Sequence, residues 1–308
     1  MDYDRQGFAA AEDGTRLFWG TRGEGPAVVL NDGIGCDGFA WKYLQPHLSR
    51  SLKTLHWHYR AHGRSGLPVD PARIDLAAHA RDLIRLLDVQ EIDRAILVGH
   101  SMGTQVALEA YRLAPERVRA LVLLCGSYGK VTATFHGSDM LKQVLPGLLD
   151  AVERRRGLAR ALWGRIPARL AFHIARLSKE VDALSIREED FRPYMEHVAS
   201  MDPQVFLAML RCAGEHTAED VLDRIEVPTL VVAAERDTFT PSELAEHMAA
   251  SIEGAEMFLL RGASHAAPIE QPVAIQIRID RFLRERLGEE VPDELAEQSA
   301  PPRQRDAG

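Results

Sequence analysis

The apolar positions of this chain fall into short runs separated by turns, and the runs are of two kinds. Residues 27–30, 95–98 and 120–124 are continuous apolar stretches, the pattern of strands covered on both faces. Residues 52–59, 229–234 and 257–260 read as further strands of the same set. Between them apolar residues recur at three- and four-residue spacing, which predicts helices with one inward face. Over 75–87 that face is Leu76, His79, Ala80, Leu83, Leu86 and Leu87, with Asp75 placed as the N-cap. Beyond residue 101 it is Val106, Ala107, Ala110 and Leu113. Residues 39–48, 242–251 and 273–287 read as further helices. Near the start, 7–11 and 16–21 flank Asp13–Gly14 and predict a hairpin.

Strands alternating with helices predict an α/β domain whose mainly parallel sheet is covered on both faces. The rhythm breaks at Gly126 and resumes at Pro228. The residues between carry no clear strand. They hold helical stretches rich in Arg, Ala and Leu, with breaks expected near Pro146–Gly147, Pro167, Pro193 and Pro203. The expected organisation is a core of 1–126 and 221–288, a helical insertion over 127–220, and a disordered polar tail over 289–308.

Composition narrows the function classes. A chain of 308 residues that is 46% apolar can bury a sizeable core. A net charge of −8 argues against nucleic acid and against anionic lipid as partners. The apolar runs are too short to span a bilayer. The charged start Met1–Asp2–Tyr3–Asp4–Arg5 leads into no signal-peptide core. Three scattered cysteines, Cys36, Cys125 and Cys212, suit neither a disulfide framework nor a zinc site and fit a reducing cytoplasm. The expected partner is a small-molecule substrate. No metal or cofactor is called for, and a homodimer is compatible with the reading.

In a parallel sheet, chemistry gathers at the carboxyl ends of the strands. Asp32, Ser101, Asp237 and His265 each stand just past a predicted strand end. Gly99–His100–Ser101–Met102–Gly103 joins a strand to a helix. In that context a Gly-x-Ser-x-Gly turn pushes the serine hydroxyl clear of the sheet. A serine nucleophile needs a base, and the base needs an orienting acid. His265, in the small-residue loop Gly262–Ala263–Ser264–His265, is the expected base. Asp237, in a loop closing on Thr240–Pro241, is the expected acid, with Glu235 as the alternative. The N–H groups of Met102 and Ile34 are the expected oxyanion donors. Asp32 and Gly33 open the Ile34 loop and are expected to touch substrate. An ionised Asp32 there would repel acyl groups that carry their own carboxylate; turned away, it would accept backbone hydrogen bonds that hold the loop.

Other patterns read as packing. His56 and His58, with His62 nearby, have no acidic residue spaced to complete a metal site. Strand alternation turns His100 away from the reacting face. Cys36 reads as a small buried thiol, and Arg154–Arg155–Arg156 as a solvated helix face.

Together these motifs resemble the α/β-hydrolase superfamily over roughly residues 7 to 287. The similarity lies in the serine turn, the Asp237 loop, and Gly262–Ala263–Ser264–His265 followed by Glu270 and Pro272. Arg60–Ala61–His62–Gly63–Arg64–Ser65 is similar to the family's Arg-Gly-His-Gly-x-Ser loop, with Ala61 in place of a glycine. The resemblance implies an α/β-hydrolase fold, a mostly parallel eight-stranded sheet flanked by helices, with a helical cap inserted after the sixth strand. It also implies a serine hydrolase. Two positions depart from the family: Asp32–Gly33 where many members carry His-Gly, and Tyr59 where many carry Asp. The expected reaction is hydrolysis of a carboxylic ester or thioester of a small, largely apolar molecule through an acyl-enzyme. Alternatives on the same three residues are C–C bond hydrolysis, lactone opening and cofactor-free perhydrolase or haloperoxidase chemistry. Dehalogenase and epoxide-hydrolase chemistry is disfavoured, since those families carry Asp where Ser101 stands. A non-catalytic small-molecule receptor is the alternative from another class.

Overall fold

The continuous apolar runs form the middle of a single sheet. In the computed structural model of the protein, which describes residues 1–129, 131–134, 140–165 and 186–289, the strands are eight. They are β1 (Arg5–Ala10), β2 (Arg16–Arg22), β3 (Ala27–Asn31), β4 (Lys53–Trp57), β5 (Ala95–His100), β6 (Val118–Leu124), β7 (Thr229–Ala234) and β8 (Glu256–Leu260). Their spatial order is β1-β2-β4-β3-β5-β6-β7-β8. The hairpin β1–β2 and the β2–β4 pair are antiparallel; every other pair is parallel. β5 sits between β3 and β6 and is buried at all of its positions. That is the burial a run without polar alternation requires.

Helices cover both faces. One face packs Leu83, Leu86 and Leu87 of the helix Leu76–Val89 with Val106 of Met102–Leu113 and Met248 of Ser242–Ser251. The other packs Trp41 and Leu44 against Ile275, Ile279 and Phe282 of Pro272–Leu287. Asp75 caps its helix as expected, its Oδ1 accepting from the Ala78 N–H at 2.6 Å. The helix expected over 39–48 divides into a 3₁₀ turn, Phe39–Trp41, and an α-helix, Leu44–Leu48. The loop expected after β8 contains a short helix, Ala267–Glu270.

Between β6 and β7 the described residues form helices Val131–Thr134, Met140–Arg154, Arg156–Trp163, Glu188–Ser200 and Pro203–Glu215. Two of the expected breaks do not occur. Pro146 and Pro193 lie inside helices. Both are exposed, so water can take the carbonyl that each proline leaves without a donor. Pro203 stands at the start of its helix, where its missing N–H costs nothing. Pro167 lies outside the described residues, as does the expected tail apart from Glu289, which pairs with Arg119. Arg154 and Arg156 are exposed and pair with acids of their own stretch, Asp150 and Glu153.

A buried ion pair anchors the loop after β4. Arg60 is 1% exposed. Its Nε and Nη2 donate to the two oxygens of Asp82 at 2.6 and 2.8 Å, and its Nη1 donates to Asp13 at 2.7 Å. Asp82, the acidic residue on the inward face of its helix, is met there by this fork. Ala61, next in the chain, has a φ of 60°, a left-handed conformation that costs a non-glycine residue roughly 1–2 kcal/mol. Asp82→Ala would leave the guanidinium buried with one carboxylate instead of two. It is expected to lower unfolding free energy by about 3–5 kcal/mol in urea denaturation. A loss below about 1 kcal/mol would show that the site tolerates the uncompensated charge.

Candidate active site

The turn after β5 is built by exclusion. A Cβ on Gly99 would stand 2.3 Å from the Gly103 carbonyl oxygen, and one on Gly103 would stand 2.0 Å from that of Asn31. Ser101 is thereby held at φ 55°, ψ −120°, with its N–H donating to the Leu124 carbonyl at 3.1 Å. This conformation is costly for a non-glycine residue and marks a functional position. It delivers the hydroxyl to the carboxyl end of the sheet.

Three side chains meet there in one line of hydrogen bonds. The Ser101 hydroxyl donates to His265 Nε2 at 2.9 Å. His265 Nδ1–H donates to Asp237 Oδ2 at 2.8 Å. Asp237 is fixed in turn. Its Oδ1 accepts from the N–H groups of Phe239 and Thr240, both at 2.9 Å, and its Oδ2 from the Thr240 hydroxyl at 2.8 Å. The His265 loop is tied by Glu270, which accepts from the Ser264 N–H at 2.7 Å and its hydroxyl at 2.5 Å. Glu235, the alternative acid, is exposed and accepts from the Gly262 N–H at 2.8 Å. Of the two acids, Asp237 is the one against the imidazole.

Ser101 opens into a cavity with two lobes. The smaller, about 90 Å³, is lined by residues including Gly33, Ile34, Cys36, His100 and Ala266. The larger, about 320 Å³, runs past Met102 and Gln105 toward Phe206 and Leu210 of the helix Pro203–Glu215. Tyr194, of the helix Glu188–Ser200, borders both lobes. Ile34 touches both lobes and Met102 the larger one. Among the described residues neither the Ile34 nor the Met102 N–H has a protein acceptor, which leaves both as donors.

Asp32 does not touch the acyl site, and a side chain holds it in place of the backbone hydrogen bonds of the alternative reading. Its carboxylate does not line the cavity; it is 1% exposed and accepts from His56 Nε2–H at 2.8 Å. The Tyr3 hydroxyl closes the chain on His56 Nδ1 at 2.7 Å. The carbonyl of Asp32 accepts from the Tyr59 hydroxyl at 2.8 Å. The departures from the family at residues 32 and 59 thus answer each other: a tyrosine reaches the loop that the aspartate heads. Asp32 holds the Ile34 loop from behind, and the repulsion expected at the acyl site has no charge there to cause it. His100 also differs from the reading that turned it away. It lines the smaller lobe and donates from Nε2 to the His265 carbonyl at 3.0 Å. Burial, aided by His265, pushes its pKa down to about 4, so the ring is neutral at pH 7. Burial pushes the Cys36 thiol up, which leaves it unreactive.

The loop that carries Ile34 is gripped at Gly35. The Gly35 N–H donates to His62 Nε2 at 2.9 Å, and its carbonyl accepts from His197 Nδ1–H at 2.7 Å. His197 Nε2 accepts from the Gly63 N–H at 2.7 Å. Burial lowers His62 to about 4, so its Nε2 keeps the lone pair that the N–H needs. A Cβ on Gly35, at φ 71°, would stand 2.7 Å from Val198 of the helix Glu188–Ser200. His58 serves likewise, accepting from the Arg64 N–H at 2.8 Å. The histidines read as packing therefore hold loops. Among the described residues no group of three or more His, Cys, Asp or Glu side chains is placed to hold a metal, and no helix is long and apolar enough to cross a membrane.

A model described as the alpha/beta hydrolase family matches residues 27–275. The chain belongs to this family. Polyketide synthase ThaQ of Burkholderia thailandensis is 31% identical over 268 residues, 86% of this chain and 12% of the synthase. The chain thus spans about an eighth of that relative's length. RutD of Pseudomonas savastanoi pv. phaseolicola, a proposed carbamate hydrolase, is 27% identical over 261 residues, 84% of this chain and 94% of RutD. The crystal structure of a hydrolase from Pseudomonas aeruginosa superposes with a TM-score of 0.71 at 27% identity, covering 92% of this chain and 99% of that one. In this alpha/beta hydrolase, sequence reasoning missed His197 and Asp82. Only Asp82 left a signal, as a charge on the inward face of an amphipathic helix.

Proposed function

We propose that this alpha/beta hydrolase cleaves a carboxylic ester or thioester of a small, largely apolar molecule through an acyl-enzyme. The observation that carries the reading is the unbroken line Ser101–His265–Asp237, 2.9 and 2.8 Å long, at the floor of an apolar cavity. Ser101 Oγ attacks the carbonyl carbon while His265 Nε2 takes its proton. The oxyanion forms against the N–H groups of Ile34 and Met102. His265 then gives the proton to the leaving alkoxide or thiolate, and a water repeats the cycle on the acyl-enzyme. Asp237 holds the imidazole with Nδ1 protonated and stabilises the imidazolium. The hydrogen bonds that hold the Ile34 loop through Gly35 and Asp32 support a donor set before substrate arrives.

The walls of both lobes are mainly apolar, and among the described residues no carboxylate lines them. An acyl group carrying a charge would lose its hydration without gaining a partner. Neutral short-chain esters are therefore expected to exceed half-acid esters of matched length by about a hundredfold or more in kcat/KM. A pH-stat panel of both series checks this. Absence of turnover on every neutral ester and thioester would overturn the reading.

A further inference from the structure

We propose that His197 is a positioning residue for the oxyanion site, acting on the Ile34 N–H through two peptide planes of the loop after β3. The inference rests on that N–H binding the oxyanion in the ester-hydrolase reading. His197 stands on the helix Glu188–Ser200 and bridges the loops after β3 and β4. Its Nε2 accepts from the Gly63 N–H and its Nδ1–H donates to the Gly35 carbonyl, both at 2.7 Å. A backbone N–H cannot accept and a carbonyl cannot donate, so these partners fix the tautomer with the proton on Nδ1.

The hold on Gly35 reaches Ile34 by covalent geometry. The Gly35 carbonyl and the Cys36 N–H belong to one peptide, which is trans and planar. That Cys36 N–H donates to the Gly33 carbonyl at 3.2 Å, closing a four-residue turn. Gly35 takes the third position of the turn at φ 71°, the place that a type II turn gives to glycine. The Gly33 carbonyl shares a second peptide plane with the Ile34 N–H, and the two point in opposite directions. Holding the carbonyl therefore sets the direction of the N–H. From the other side, His62 Nε2 accepts from the Gly35 N–H at 2.9 Å and fixes the middle peptide of the turn.

The donors run head to tail. Gly63 N–H gives to His197, His197 Nδ1–H to Gly35, Cys36 N–H to Gly33, and Ile34 N–H to the oxyanion. Hydrogen bonds in such a chain polarise one another, so each donor is strengthened by the one behind it. His197 also lies one helical turn after Tyr194, which borders both lobes. A residue that only anchored this helix would act on substrate binding through Tyr194. A residue that aims the Ile34 N–H acts where charge develops in the transition state, and so on kcat.

Three variants separate these roles. Asparagine sets an amide N–H near the place of Nδ1 and keeps the bond to Gly35. Glutamine reaches the place of Nε2, keeps an acceptor for Gly63 and leaves carbon near Gly35. Phenylalanine keeps the ring and neither bond. Loss of a whole oxyanion donor costs about 10²–10³ in kcat, and a donor loosened but present should cost less. On neutral short-chain esters, His197→Phe and His197→Gln are therefore expected to lower kcat by about ten- to a hundredfold, with KM within about threefold. His197→Asn should stay within about threefold of wild type in both. The rate of fluorophosphonate labelling at Ser101 reads the same donors without a substrate, because the phosphoryl oxygen takes the place of the oxyanion. That rate should fall in the first two variants by a similar factor and recover in His197→Asn.

Unchanged kcat and labelling rates in the folded variants, equal losses in His197→Asn and His197→Gln, or a loss confined to KM would overturn the role of His197 and leave the ester reading standing. Should His197→Phe fail to fold, the Asn and Gln variants carry the same comparison. Wild-type protein that takes up the label and cleaves no ester or thioester would end the ester reading alone, and the labelling rates then decide for or against His197. Wild-type protein that takes up no label would overturn both.

Discussion

Ser101→Ala is expected to lower kcat by about four to six orders of magnitude and to leave the melting temperature within a few degrees of wild type. The hydroxyl is the atom that forms the acyl bond in the proposed mechanism, and its removal leaves only binding and the oxyanion donors. Its structural role is small. Beyond its line to His265, Ser101 is held by its backbone, through φ 55° and the N–H to Leu124. Alanine meets the same backbone strain, so folding should not suffer. Ester hydrolysis at saturating substrate and a thermal melt read the two effects separately. A variant that keeps a tenth of wild-type kcat would remove Ser101 from the mechanism.

Asp237→Asn is expected to lower kcat by about 10⁴-fold. The carboxylate accepts four hydrogen bonds, from two backbone N–H groups, the Thr240 hydroxyl and His265 Nδ1–H. An amide can offer only one oxygen to this set. Two backbone N–H groups cannot turn away, so the oxygen stays with them and the NH₂ faces Thr240 and His265. The imidazole must then accept at Nδ1 and carry its proton on Nε2, where it can no longer take the proton of Ser101. Glu235→Gln, at the exposed acid, should stay within about threefold of wild type. Comparable losses in both variants would show that the acid is shared.

The core of this protein is legible in its sequence because burial on both faces erases polar alternation. The strands β5 and β7 and the helix Ser242–Ser251 come from such local signals. So does the proximity of Ser101, Asp237 and His265, since strand ends in a parallel sheet share one edge. What escaped depends on contacts distant in sequence. Asp32 looks like a substrate contact until His56, 24 residues away, takes its carboxylate. His197 carries no local mark. Its role arises where the helix Glu188–Ser200 meets the loops after β3 and β4. Pro146 and Pro193 read as breaks because propensity sees a missing N–H and not the solvent that relieves it.

The most direct measurement is covalent trapping. Wild-type protein treated with a fluorophosphonate is expected to gain one adduct per chain, and peptide mapping should place it on Ser101. Ser101→Ala should take up none, and Asp237→Asn should label far more slowly. An ester-hydrolysing protein that forms no adduct, or one that carries it on another residue, would contradict the account.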